Sequence, residues 1–97
     1  MIRVHSTFVC KPGNASKLAK LFKEWVDVKK DSSMTVMTDM TGQFHRVILA
    51  ENYATFAAYE KAQENMGQSP EEKAMMEKFK EMNEMYVSGG REILKVW

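Results

Sequence analysis

A chain of 97 residues with 44% hydrophobic and 28% charged side chains suits one compact domain and is too apolar for a disordered one. Lys and Arg number 14 against 13 Asp and Glu, and a formal charge of +1 gives no electrostatic footprint for nucleic acid or an anionic membrane. The single cysteine, Cys10, excludes an intramolecular disulfide, and no apolar run approaches the roughly 20 residues of a membrane-spanning helix.

The opening "MIRVHSTFVC" lacks the basic-then-apolar layout of a secretory signal, so the expectation is a soluble, cytoplasmic protein. Within it Ile2, Val4, Phe8 and Cys10 alternate with Arg3, His5 and Thr7, which predicts a strand. "KPGN" breaks the strand, and Asn14 is the expected cap of the helix that follows. Leu18, Leu21, Phe22, Trp25 and Val28 then recur at three- and four-residue spacing, predicting an amphipathic helix over roughly 15–29. After the polar connection "KKDSS", "MTVMTDM" (34–40) reads as a strand, "TGQ" as a turn, and "FHRVILAE" (44–51) as a second strand of a hairpin.

A further helix runs from about Asn52 or Thr55 to Met66, with Phe56, Tyr59, Ala62 and Gln63 on one stripe, and Gly67 stops it. "SPEE" announces the next helix: Ser69 as cap, Pro70 in the first turn, and Glu72 closing a capping box. That helix carries "MMEKFKEMNEMY", with Met75, Phe79, Met82 and Tyr86 on one face. "SGG" is expected to end it through a left-handed glycine, and "REILKVW" closes the chain as a strand.

The order β-α-β-β-α(α)-β is the split βαβ, ferredoxin-like arrangement of the α+β class. It predicts a four-stranded antiparallel sheet with the helices on one face, in a single domain spanning 1–97. In a monomer the uncovered face should be polar. Yet Val47, Ile48 and Leu49 are consecutive, Val9 opposes Phe8 in parity, and Ile93 and Trp97 oppose Leu94 and Val96. An apolar face of this kind marks an interface, and covering it releases several kcal/mol at about 25 cal/mol per Å2. The expectation is a homodimer, sheet against sheet.

A short split-βαβ chain with strands apolar on both sides, closing in "YVSGGREILKVW", resembles the dimeric α/β-barrel superfamily. That group includes antibiotic-biosynthesis monooxygenases, NIPSNAP-like proteins and stress-responsive barrel proteins. The resemblance covers nearly the whole chain and is one of pattern. It implies sheets paired into a barrel and a small-molecule pocket between sheet and helices. The chemistry of such proteins varies widely, so the fold assigns no reaction.

Six residues are candidates for that pocket. His45 and Arg46 supply polar groups, and Arg46 shares the parity of Phe44, Ile48 and Ala50. If that face meets the helices, the guanidinium needs an anion, either a substrate carboxylate or Glu60, Glu51 or another carboxylate of the chain. Trp25, Tyr59 and Tyr86 lie on the inward stripes of three helices, and Met82 joins them from the methionine run. His5 and His45 sit at the starts of antiparallel strands, too far apart to share a metal, and no spacing resembles a metal motif. Methionines mixed with Phe79 and Tyr86 make a packing stripe rather than a soft-metal site, so neither metal nor cofactor is expected. Cys10 has no cue for thiolate activation, and Gly89–Gly90 leads into a strand, not a phosphate-binding helix.

Two functions fit. One is a small-molecule-binding protein or cofactor-free enzyme, an oxygenase or isomerase, holding a small apolar or aromatic ligand between helices and sheet. The other is a non-catalytic dimeric module with a structural or stress-related role. A cavity between helices and sheet separates them.

Overall fold

The alternation at the start of the chain becomes β1 (Ile2–Cys10), and the apolar stripe after it becomes α1 (Ala15–Lys29). They are followed by β2 (Thr35–Thr38), β3 (Arg46–Tyr53), α2 (Phe56–Glu64), α3 (Pro70–Phe79), a 3-10 turn (Lys80–Glu84) and β4 (Tyr86–Lys95). The structure is a computed structural model and describes residues 1–31, 33–42 and 44–97. Ser32 in the polar connection and Gln43 in the expected "TGQ" turn lie outside the described residues.

The four strands form one antiparallel sheet in the order β2-β3-β1-β4. With three helices in the order β-α-β-β-α-α-β, this is the ferredoxin-like α+β arrangement. Strand parity divides the sheet. Val4, Ser6, Phe8 and Cys10 of β1 and Val47, Leu49 and Glu51 of β3 face the helices; in β4, Gly89, Arg91 and Ile93 stand opposite Phe8, Ser6 and Val4. The helix-free face carries Arg3, His5, Thr7 and Val9, then Arg46, Ile48 and Ala50, then Gly90, Glu92 and Leu94. It is a mixed surface.

Leu18, Phe22 and Trp25 form one buried stripe of α1, set against Cys10, Val47, Met34 and Met75. At roughly 1.5–3 kcal/mol for each large apolar side chain removed from water, this stripe anchors the helix layer. The helices lie over the β2, β3 and β1 side. β4 is exposed along its length except at Tyr86, which is half-buried, and Val87, Ile93, Leu94, Val96 and Trp97 stand open. A register break in the β1–β4 ladder pairs Val9 with Ser88 and Cys10 with Tyr86, so Val87 is an extra residue, a bulge.

Several boundaries differ from the sequence expectation for identifiable reasons. β3 begins at Arg46, not Phe44, because His45 takes a left-handed turn conformation (φ 61°) and Phe44 stays exposed. The Asp39 carboxylate accepts from Arg46 N at 2.8 Å, fixing where pairing starts. β2 covers four residues rather than the whole of 34–40, and α2 stops at Glu64 instead of Met66. Asn14 makes no side-chain cap bond. Ser69 does cap α3, its hydroxyl accepting from Glu72 N at 3.1 Å. Glu72 does not close a capping box: its carboxylate accepts from Lys29 Nζ at 3.2 Å and from Gly67 N.

The methionine run is not one helix. It passes from α3 through the 3-10 turn into β4, so Tyr86 is a strand residue. Gly89 and Gly90 accordingly stop no helix. They lie inside β4 without positive φ, and Gly89 leaves room for Phe8 on the neighbouring strand.

Candidate active site

A cavity of about 240 Å3 opens between the helices and the sheet. Its apolar wall is Phe8 and Leu49 from the strands, Phe22 and Trp25 from α1, and Met66, Met76, Phe79 and Met82 from the segment after α2. The aromatic rings brace one another: Phe8 lies 5.4 Å from Phe22, and Trp25 meets Phe79 edge-on at 5.5 Å. Edge-on and tilted pairs of this kind fix the orientation of the rings. The thioethers supply adaptable surface.

Four polar residues line the cavity: Ser6 on β1, Glu51 on β3 and Arg91 on β4 make a polar end on the sheet, and Gln63 comes from α2. Each of the strand residues has the parity of the core residues around it, so the chain places polar groups where the pattern calls for apolar ones. They are held in a network. Arg91 donates from Nε to Ser6 Oγ at 3.2 Å and from Nη1 to the Tyr59 hydroxyl at 2.8 Å. The Tyr53 hydroxyl donates to Glu51 Oε2 at 3.2 Å. Tyr53 and Tyr59 pack edge-on at 5.3 Å, tying the two halves together.

Glu51 is 8% exposed. Burial pushes its carboxyl above the ordinary carboxylate range, the Asp31 charge adds to the rise, and the Tyr53 hydrogen bond and the Arg91 and Lys29 charges oppose it. The Tyr53 hydroxyl is pushed up in turn, by its own burial first and then by the Glu51 charge, so it remains a donor. A buried carboxylate beside a guanidinium at the end of an apolar pocket is the arrangement from which acid–base chemistry is built.

The six residues singled out in the sequence are distributed unevenly. Trp25 and Met82 line the cavity. Tyr59 is buried behind its polar end as the partner of Arg91, and Tyr86 borders an adjoining hollow with Phe8, Gly89 and Arg91. His45 and Arg46 are elsewhere. His45 is exposed in the turn before β3, and Arg46 points to the helix-free face, the opposite side from Glu51. Arg46 Nε is buried without a hydrogen-bond partner among the described residues, so neither Glu51 nor Glu60 is its anion. The sequence reading missed Ser6 and Arg91 and named Glu51 only as a partner for Arg46. Parity held the signal: Ser6 interrupts Val4, Phe8 and Cys10, and Glu51 continues Val47 and Leu49.

Among the described residues no group of three or more His, Cys, Asp or Glu could hold a metal. His5 pairs with Ala50, five positions from His45, which separates the histidines by about 17 Å at 3.4 Å per residue. Cys10 is buried, and burial raises its thiol. No helix among the described residues is long and apolar enough to cross a membrane.

No protein-family model matches the chain, and no curated protein matches it. Solved structures do. An uncharacterized NIPSNAP domain protein from Burkholderia xenovorans superposes with a TM-score of 0.77 at 13% identity, over 100% of this chain and 95% of its own. Protein Atu4242 from Agrobacterium tumefaciens gives 0.79 at 12% identity, over 100% and 94%. A putative antibiotic biosynthesis monooxygenase from Deinococcus radiodurans gives 0.68 at 13% identity, over 100% and 93%. The chain therefore has the ferredoxin-like α+β fold shared by NIPSNAP-domain and antibiotic biosynthesis monooxygenase-like proteins. At these identities the likeness concerns the fold, and the site has to be read from this chain's own residues.

Proposed function

We propose that this protein binds a compact small molecule with an apolar, aromatic body and one polar end. The observation that carries this reading is the two-ended cavity: an aromatic and thioether wall that closes on Ser6, Glu51 and Arg91. A dry engineered cavity of about 150 Å3 takes benzene, so about 240 Å3 suits a molecule of roughly ten non-hydrogen atoms. The polar end sets orientation, since a ligand that leaves the buried Glu51 carboxylate unmatched is disfavoured.

The working unit in this reading is a cytoplasmic homodimer joined through the helix-free sheet face. Val9, Ile48 and Leu94 supply its apolar contacts, and Arg46, whose Nε has no hydrogen-bond partner among the described residues, supplies a cation that a second copy can match. The binding test is an NMR titration of the 15N-labelled protein with 2-indanone and para-cresol, following the Trp25 indole N–H. A saturable shift, abolished by Leu49→Trp, is the expected result. No shift at millimolar probe refutes the pocket reading and leaves the non-catalytic module.

A further inference from the structure

We propose that the polar end of this pocket moves a proton at a carbon next to a carbonyl, with Glu51 as the base and Arg91 as the donor that holds the enolate oxygen. The substrate class is a compact aryl-substituted ketone, and the reaction is keto–enol tautomerisation. The inference rests on the small-molecule reading above and specifies its chemistry.

The geometry supplies each part. Glu51 sits on the cavity wall with Oε2 engaged by Tyr53, and no hydrogen bond among the described residues falls on Oε1. One oxygen is thus positioned and the other is free to take a proton. Arg91 has five N–H donors, and Nε and Nη1 are committed to Ser6 and Tyr59. Those two bonds fix the plane of the guanidinium and leave the Nη2 donors for a ligand oxygen. Glu51 and Arg91 come from β3 and β4, on either side of β1. Glu51 lies opposite Val4 and Arg91 opposite Ser6, so two strand spacings and a two-residue offset put their backbones about 12 Å apart, which leaves room for a carbonyl-bearing carbon between the side chains. The aromatic wall positions a ring, and a ligand seated against it displaces water from the Glu51 side, which strengthens the base. Burial raises the basicity of the ionised Glu51 carboxylate in the same direction.

The step balances without an oxidant or a cofactor. Glu51 removes the α-proton as the C–H electron pair becomes the C=C bond, and the carbonyl π pair moves to oxygen, where Arg91 stabilises it. The protonated Glu51 then returns its proton to the oxygen, giving the enol, or to carbon, regenerating the ketone. Exchange of the Glu51 proton with solvent between the two halves labels the α-carbon.

The test is α-hydrogen exchange of 2-indanone in D2O, read as loss of its CH2 signal in the proton NMR spectrum. Binding is followed in parallel at the Trp25 indole N–H. The wild-type protein is expected to accelerate exchange about 100-fold or more over buffer, the usual contribution of a positioned general base. Glu51→Gln should bind the ketone and lose the acceleration, while Glu51→Asp, which keeps a carboxylate, should retain part of it. Binding without faster exchange overturns the proton-transfer assignment and leaves the pocket reading standing. Exchange that persists in Glu51→Gln overturns the role of Glu51. Absence of both binding and exchange overturns the pocket reading and this inference with it.

Discussion

Gly89 offers a test of how tightly the sheet and the cavity wall are fitted. A Cβ at this position would lie 3.2 Å from the Thr7 carbonyl oxygen and 3.3 Å from Phe8 Cδ1. Neither neighbour gives way easily. The carbonyl belongs to the central strand, and the Phe8 ring is held between Phe22 at 5.4 Å and Tyr86 at 5.0 Å. Gly89 is not among the positive-φ glycines, so alanine is conformationally allowed and gains the roughly 0.5–1 kcal/mol that a strand glycine costs. Overpacking costs about 1–3 kcal/mol. The steric term wins, and Gly89→Ala is expected to destabilise the fold by about 1 kcal/mol, lowering Tm by about 4–8 °C for a domain of this size. Thermal unfolding by circular dichroism measures it. In a Phe8→Leu background the ring edge is gone, and the same glycine-to-alanine step should cost less. Gly89→Ala melting at or above wild type would refute the reasoning, and so would a penalty undiminished by Phe8→Leu.

Leu18 is fully buried, and Leu18→Ala should cost about 2–5 kcal/mol in denaturant unfolding. A cost below 1 kcal/mol would mean that the α1 stripe is not the anchor described. Ser69→Ala removes the α3 cap and should cost about 1 kcal/mol, with Ser69→Asp restoring most of it. The Glu51 carboxyl is raised in the folded state. Its contribution to stability is therefore complete below the ordinary value of 4.5 and is lost as pH rises through the folded value. Glu51→Gln lacks that loss, so its Tm should gain on wild type between acidic and neutral pH; a pH-independent difference would contradict this. The proposed dimer predicts a dimer mass for wild type by light scattering and a monomer mass for Ile48→Lys, which places a charge in the helix-free face.

Element order and sheet topology were legible because the strand alternation and the α1 stripe are strong local signals. Boundaries failed where a single backbone torsion decided them. Nothing in "FHRV" announces that His45 turns left-handed, and with that turn the strand loses Phe44. "SGG" was misread because glycine serves equally as a helix stop and as a place for a neighbouring ring. Only the pairing of Gly89 with Phe8 distinguishes the two. The site was half legible. Trp25 and Met82 follow from helical periodicity, since an inward helix face must meet something. Glu51 and Arg91 come together through the register of three strands, 40 residues apart in sequence, and local pattern carries no information about register. Arg46 would enter the pocket only if its face met the helices, and the sheet turns that face the other way.

The bulge at Val87 governs the sign of charge inside the cavity. Side chains alternate across a strand, so one residue more or less before Arg91 reverses which of its neighbours look inward. Were β4 to pair with β1 without the bulge, Val87 taking the place opposite Val9, Arg91 would meet His5 on the open face and Glu92 would meet Val4 beneath the helices. A pocket with one carboxylate and one guanidinium would become a pocket with two carboxylates, repelling anions and favouring cations. A slip of one residue in pairing, with no change in the sequence at all, would invert the electrostatic character of the pocket, and the unpaired Val87 is what holds the strand in the other register.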